Sequence, residues 1–259
     1  MAAIASVSLS VILRTTWNDL GEIFRRLRRE VIVAFLIIVT LGIIGSAPVI
    51  SRNPVLAEAF SLLSMIAILP FEIAVFRLLI LDEAAPGYQF ATSTVRFRRM
   101  LAWTVAFWAT SSLPTLLSPV VTAFEVPMAI GIIAAVVMSF IVVVVMLRIV
   151  VLLPAIAVDA PGASIGNVFA DTRGHAWFIL KAYLAVVLLF FLAIVLTAVL
   201  AWLGGGSGIF HGSGGSAVAL GTIFSSLGFL MVTSLMIVQA RLFMRIGDRV
   251  KRDVMSAGD

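Results

Sequence analysis

Residues 128–159 read MAIGIIAAVVMSFIVVVVMLRIVVLLPAIAVD. Met128 to Leu147 carry no charge. As a helix rising 1.5 Å per residue, that stretch spans about 30 Å, the thickness of a bilayer's hydrocarbon core. Val142 to Val145 would favour a strand in water. In lipid a lone segment must satisfy its own backbone hydrogen bonds, which forces a helix. Arg148 follows, then Pro154, and the stretch ends in the turn Asp159-Ala160-Pro161-Gly162. The reading is a membrane helix with one charged end and one bare end, and the other apolar stretches are oriented against it.

The rest of the chain agrees in character. Its 259 residues are 62% hydrophobic and 12% charged, with a mean hydropathy of +1.17. A soluble domain is about half apolar and about a quarter charged. A net charge of +5 would suit nucleic acid. Here, however, the basic residues flank apolar spans, so the expected partner is the lipid bilayer and no nucleic acid. The absence of cysteine excludes disulfides, thiolate metal sites and cysteine nucleophiles. The N-terminus has no basic n-region, so no cleaved secretory signal is expected.

Six spans are expected, at about 31–50, 55–81, 100–121, 128–159, 177–203 and 216–243, giving an all-α polytopic membrane protein. Residues 1–30 form an amphipathic N-terminal segment, 31–243 the six-helix domain and 244–259 a basic tail. In the first of these, Leu9, Leu13, Trp17, Leu20, Phe24 and Leu27 recur every three or four residues, between charged and polar ones. Such a helix lies in the headgroup plane or extends the first span into the cytoplasm. Arg25, Arg26, Arg28 and Arg29 are candidate contacts for anionic lipid headgroups, each charge worth about 1 kcal/mol near the surface. The run Gly204 to Gly215 reads as a flexible loop. Trp17, Trp177 and Trp202 fall near expected interfaces.

Placing both termini and the 82–99 and 159–176 connections on one side gathers every lysine and arginine there except Arg52. The positive-inside rule makes that side the cytoplasm. A weak internal repeat supports the same threading. The stretch FRLLILDEAAPGYQFATSTVRF and the later LRIVVLLPAIAVDAPGASIGNVFADTRG share an arginine (Arg77, Arg148), an Asp, Pro-Gly, Phe-Ala and a Thr near an Arg. A third arginine recurs in Gln239-Ala240-Arg241. If genuine, the repeat makes three helical hairpins, each preceded by an interfacial segment.

Glu72 is the most informative polar residue, two positions after Pro70 inside the second span. A carboxylate in lipid is costly and faces a partner or water, and Pro70 frees a helix carbonyl beside it. Glu72, Arg77 and Arg148 form the candidate intramembrane polar site. One reading is a proton or cation site. The favoured one is a structural pair of Glu72 with Arg77 or Arg148, because Glu72 lies only one or two turns from the interface. The two arginines are expected to snorkel. Ser111, Ser112, Pro114, Thr115, Ser118 and Pro119 crowd the third span; their hydroxyls either line a cavity or, as favoured, bond back to the backbone or across helices. Ala219, Gly221, Ser225, Ser226 and Gly228 suit close helix packing. His175 and His211 fall on opposite sides of the membrane, and one Asp with one His is too few for a metal site. No G-x-S-x-G, Walker, GxGxxG or HExxH motif occurs, so no enzyme activity, cofactor or metal is expected.

Around Arg148, Leu153-Pro154 and Thr172-Arg173-Gly174-His175-Ala176-Trp177 the chain resembles a group of bacterial six-span inner-membrane proteins. These are the YciC-like proteins and the membrane domain attached to some glycerophosphodiester phosphodiesterases. The resemblance implies a six-span fold in a bacterial cell inner membrane. The catalytic phosphodiesterase domain has no counterpart here, so no hydrolase activity is implied. The expected function is a non-enzymatic scaffold, assembly or accessory component with membrane-protein partners. The alternative is a small transporter or channel for a lipid-like or small solute, using Glu72.

Overall fold

A computed structural model describes residues 9–45, 47–84, 87–123, 128–205 and 215–251. Among them there is helix and turn but no strand. In chain order the helices are α1 (Leu9–Arg26), α2 (Arg28–Gly45), α3 (Pro48–Ser51), α4 (Pro54–Leu81), α5 (Val95–Ala123), α6 (Met128–Ile149), α7 (Leu152–Ala157), α8 (Ile165–Asp171), α9 (Ala176–Gly205), α10 (Gly215–Ile246) and α11 (Asp248–Lys251). Among the described residues three stretches are long and apolar enough to cross a membrane: Pro54–Leu81, Ala176–Leu203 and Gly221–Ile246. Val136–Ile149 is a shorter apolar helix. The expected 122–127 turn, the 204–215 glycine run and the tail beyond Lys251 fall wholly or partly outside the described residues.

The centre of the bundle is α4, not the 128–159 stretch. Its apolar window is 44% buried, against 11% for α9 and 33% for α10. It packs against α2, α5, α7 and α10. Phe71 of α4 stacks on Phe229 of α10 at 5.5 Å between ring centroids, and Phe35 of α2 meets the same ring edge-on at 5.8 Å. Asn53 starts α4, its side chain accepting from the Val55 and Leu56 amides at 3.0 and 3.2 Å, with Pro54 in the first turn, where no donor is needed. At Gly42 of α2, an added Cβ would sit 3.2 Å from Ser225 Oγ of α10, so these small residues set that helix–helix approach. Gly221 and Gly228 have open space there instead.

The expected fourth span is two helices. α6 stops at Ile149, and α7 restarts at Leu152, its six residues all buried. Pro154 accounts for the break. It has no N–H for the Val150 carbonyl, and its ring collides with that carbonyl in a continuous helix. Thr172 Oγ1 then donates to the Arg148 carbonyl at 3.0 Å, satisfying an acceptor that the ending helix exposes.

At the other end of the sequence, α1 bends at Leu27 into α2, keeping the Leu27 N–Ile23 O and Val31 N–Leu27 O bonds at 2.8 Å. The first apolar helix therefore begins within the arginine cluster rather than at 31. The inward face of α1 is Ile12, Thr16, Asp19, Leu20, Ile23 and Leu27, against α9 and α10. Trp17 and Phe24, expected on one stripe with Leu20 and Leu27, are exposed. The helix is gripped by protein on one side and presents aromatics on another.

Residues 87–94 lie back along α4. Tyr88 donates its hydroxyl to the Ala67 carbonyl, roughly 20 Å along the helix from Leu81. Phe90 then meets Phe97 at the start of α5, at 6.1 Å between centroids.

Candidate functional site

Glu72 lies on the buried face of α4, 9% exposed. Neither expected arginine reaches it. Arg77 is five residues on, about 140° around the helix, whereas only residues three or four apart share a face. It turns to the connection instead: it pairs with Glu83, lies 3.7 Å from Asp159 Oδ2, and donates to the Ala157 carbonyl at 3.3 Å. Arg148 sits at the end of α6, and the break after it sets α7, not α6, against α4. Among the described residues, Arg148 has no carboxylate within ion-pair distance.

A polar neighbour of Glu72 comes from α9. Tyr183 of α9 lies beside Gln239 of α10 and within electrostatic range of Glu72. Tyr183 Oη and Gln239 Oε1 are both buried; the two groups interact with each other but fall outside normal hydrogen-bond geometry. The arrangement is a carboxyl, a phenol and an amide inside the bundle. Tyr183 carried no signal in the sequence because an isolated tyrosine in an apolar helix looks like any other aromatic.

The arginines are instead organised as a cross-braced layer at one end of the bundle. Arg241 of α10 pairs through two nitrogens with Asp19 of α1, Nε to Oδ2 at 2.6 Å, and the Asp19 side chain is 6% exposed. Arg26 of α1 pairs with Asp82 at the end of α4 and with Glu22 at 3.2 Å. Those two carboxylates raise its already high pKa further. Arg96 of α5 holds Asp159, with Nε at 2.9 Å. Arg99 donates to the Ala163 carbonyl at 2.6 Å. Asp171 of α8 accepts from the Arg249 and Val250 amides of α11 at 3.0–3.1 Å. Of the four candidate headgroup arginines, Arg26 is therefore committed to protein carboxylates, while Arg25, Arg28 and Arg29 are exposed.

At the opposite end, Ser112 of α5 donates to the Glu58 carboxylate and Trp108 Nε1 to the Glu58 carbonyl at 3.0 Å, joining α5 to α4. Thr110 and Ser111 bond back to the Ala106 and Trp108 carbonyls at 2.7 and 3.0 Å. Among the described residues no three His, Asp or Glu side chains gather as a metal site; His211 lies outside them. The chain matches no protein-family model, no curated protein and no solved structure.

Proposed function

We propose that the chain is a six-span protein of a bacterial cell inner membrane, with both ends in the cytoplasm, acting as a non-enzymatic scaffold, assembly or accessory component. The observation that carries this reading is the braced layer. Its Arg–Asp pairs join α1 to α10, α1 to the end of α4, and α5 to the Asp159 turn, tying these elements together at one end of the bundle. α2, α5 and α6, at 18, 29 and 22 residues, are each long enough to supply a further crossing at 1.5 Å per residue. The one-sided distribution of lysine and arginine supports the orientation, and the resemblance around Arg148 to Trp177 supports the YciC-like assignment.

Two measurements test this. Single cysteines placed in the cysteine-free chain at Ser93 and Ser164 should label from the cytoplasmic side, and one at Asn53 from the other. Purification of the tagged chain in mild detergent should retain a membrane-protein partner in fixed ratio. A chain that runs alone argues against the accessory role. The second reading, a small transporter, is favoured by one observation: Glu72 is buried away from both arginines beside buried Tyr183 and Gln239. Solute flux into vesicles that Glu72→Gln abolishes would put that reading first.

A further inference from the structure

Between α4, residues 83–84 and 87–94 of the connection and the start of α5 lies a cleft of about 280 Å³. Its lining combines apolar Pro70, Ile73, Ala74 and Phe97 with the charged Arg77, Arg96 and Glu83. Gly87, at φ 127°, also lines it and presents bare backbone there. We propose that this cleft binds the phosphate headgroup of an anionic phospholipid.

Three features select that occupant. The cleft sits at the arginine-rich end of a helix long and apolar enough to cross a membrane, where headgroups are the most concentrated ligand. It falls just below the range of roughly 300–1,000 Å³ that encloses drug-sized molecules, so it takes a headgroup and leaves acyl chains to the exposed helix faces. Both guanidiniums are partly buried, with 22% and 27% of their side chains exposed, and keep donors in reserve. Arg96 uses Nε and Nη2 on Asp159, and Arg77 uses one N–H of each terminal nitrogen, on Ala157 and Glu83. A guanidinium has five N–H donors in a fork that matches phosphate. The competing carboxylates, Glu83 and Asp159, are about half exposed. Glu83 belongs to the connection rather than to a helix, so it is the acid a phosphate displaces.

The displacement sets opposite expectations for two substitutions. In native mass spectrometry of the intact protein titrated with phosphatidylglycerol, Glu83→Gln removes a competitor and raises retention severalfold. Arg96→Gln lowers it about tenfold, the loss of one charge-assisted contact. Phosphatidylethanolamine is retained more weakly than phosphatidylglycerol, and Arg25→Gln/Arg28→Gln/Arg29→Gln leaves the difference intact. If Arg96→Gln fails to fold, Glu83→Gln alone decides. Unchanged or weaker retention by Glu83→Gln overturns the proposal, as does equal retention of the two lipids. Inorganic phosphate that protects the protein from thermal unfolding as well as the lipid does would make the occupant a soluble phosphate and overturn the lipid assignment.

Discussion

Gly162 holds the last helix in place by its lack of a side chain. A Cβ added there would lie 2.6 Å from the Arg249 carbonyl oxygen, 2.8 Å from that of Val250 and 2.9 Å from the Val250 Cα. All three are backbone atoms, so no rotamer change relieves the clash. The cheapest response is for α11, four residues long, to lift away. Overpacking of this kind costs about 1–3 kcal/mol, which multiplies the undocked population by roughly five- to a hundredfold. Because the chain has no cysteine, Val250→Cys gives a single reporter at a site with 0% exposure. Its maleimide labelling rate should rise by the same factor when Gly162→Ala is added. Gly166→Ala, with nothing within 4 Å of its Cβ, should leave the rate unchanged. A reporter at Ala182, fully buried in α9, should stay protected throughout, separating local undocking from unfolding. If Gly162→Ala labels at the parent rate in a folded protein, the close-approach argument is wrong.

Three further outcomes are expected. Asp19→Asn strips a nearly buried carboxylate from Arg241, whose side chain is 31% exposed; the cost is about 2 kcal/mol, between the exposed and fully buried cases. In thermal unfolding, Asp19→Asn with Arg241→Gln should cost less than the two singles added, and strict additivity would deny the pair any coupling. Burial pushes the Tyr88 phenol up to about 12 from its usual value near 10. The packing of Tyr88 therefore stabilises the fold fully below about pH 10 and loses that contribution as pH rises toward 12. Ultraviolet titration in a Tyr183→Phe background, where Tyr88 is the remaining tyrosine of the two, should give the raised value; an ordinary one would mean the phenol is in water. Asp159 is left-handed at φ 53°, so Asp159→Ala should destabilise by about 1 kcal/mol more than Asp159→Asn, since asparagine tolerates that backbone. Equal losses would leave only the charge as its role.

Membrane character was plain in the hydropathy because a lipid solvent makes long apolar runs compulsory. Turn positions were plain where Asn53-Pro54 and Asp159 to Gly162 carry their own backbone chemistry. Contacts between distant residues were not. Asp19 reads as one more polar residue of an amphipathic helix, and nothing local announces that Arg241, 222 positions away, will claim it. Periodicity marked one apolar stripe on α1 without dividing it: Leu20 and Leu27 are buried against the bundle, while Trp17 and Phe24 are exposed. The two prolines are the sharpest case. α4 runs on through Pro70 while the 128–159 stretch breaks ahead of Pro154, although the local cost is the same in each. Both prolines lie among buried residues; what differs is that Thr172 offers its hydroxyl to the Arg148 carbonyl at the break, a compensation that sequence does not display.

The repeat seen in the sequence acquires a physical meaning from the ends of these helices. Asp82 and Asp159, its matched aspartates, are the two non-glycine residues with positive φ among those described, at 56° and 53°. The second copy is longer between its arginine and its aspartate by the 6 residues that α7 occupies. The shared Pro-Gly serves different ends, a positive φ at Gly87 and a backbone crossing at Gly162. Most telling is where the aspartates find their partners. Asp82 takes Arg26 from the segment before the first hairpin, and Asp159 takes Arg77 and Arg96 from the end of that hairpin and the start of the next. Asp19, at the start of the chain, takes Arg241 from the last helix. Two of these pairs, Arg77–Asp159 and Arg241–Asp19, join one expected hairpin unit to another, while Arg26–Asp82 and Arg96–Asp159 close a hairpin onto the segment that precedes it.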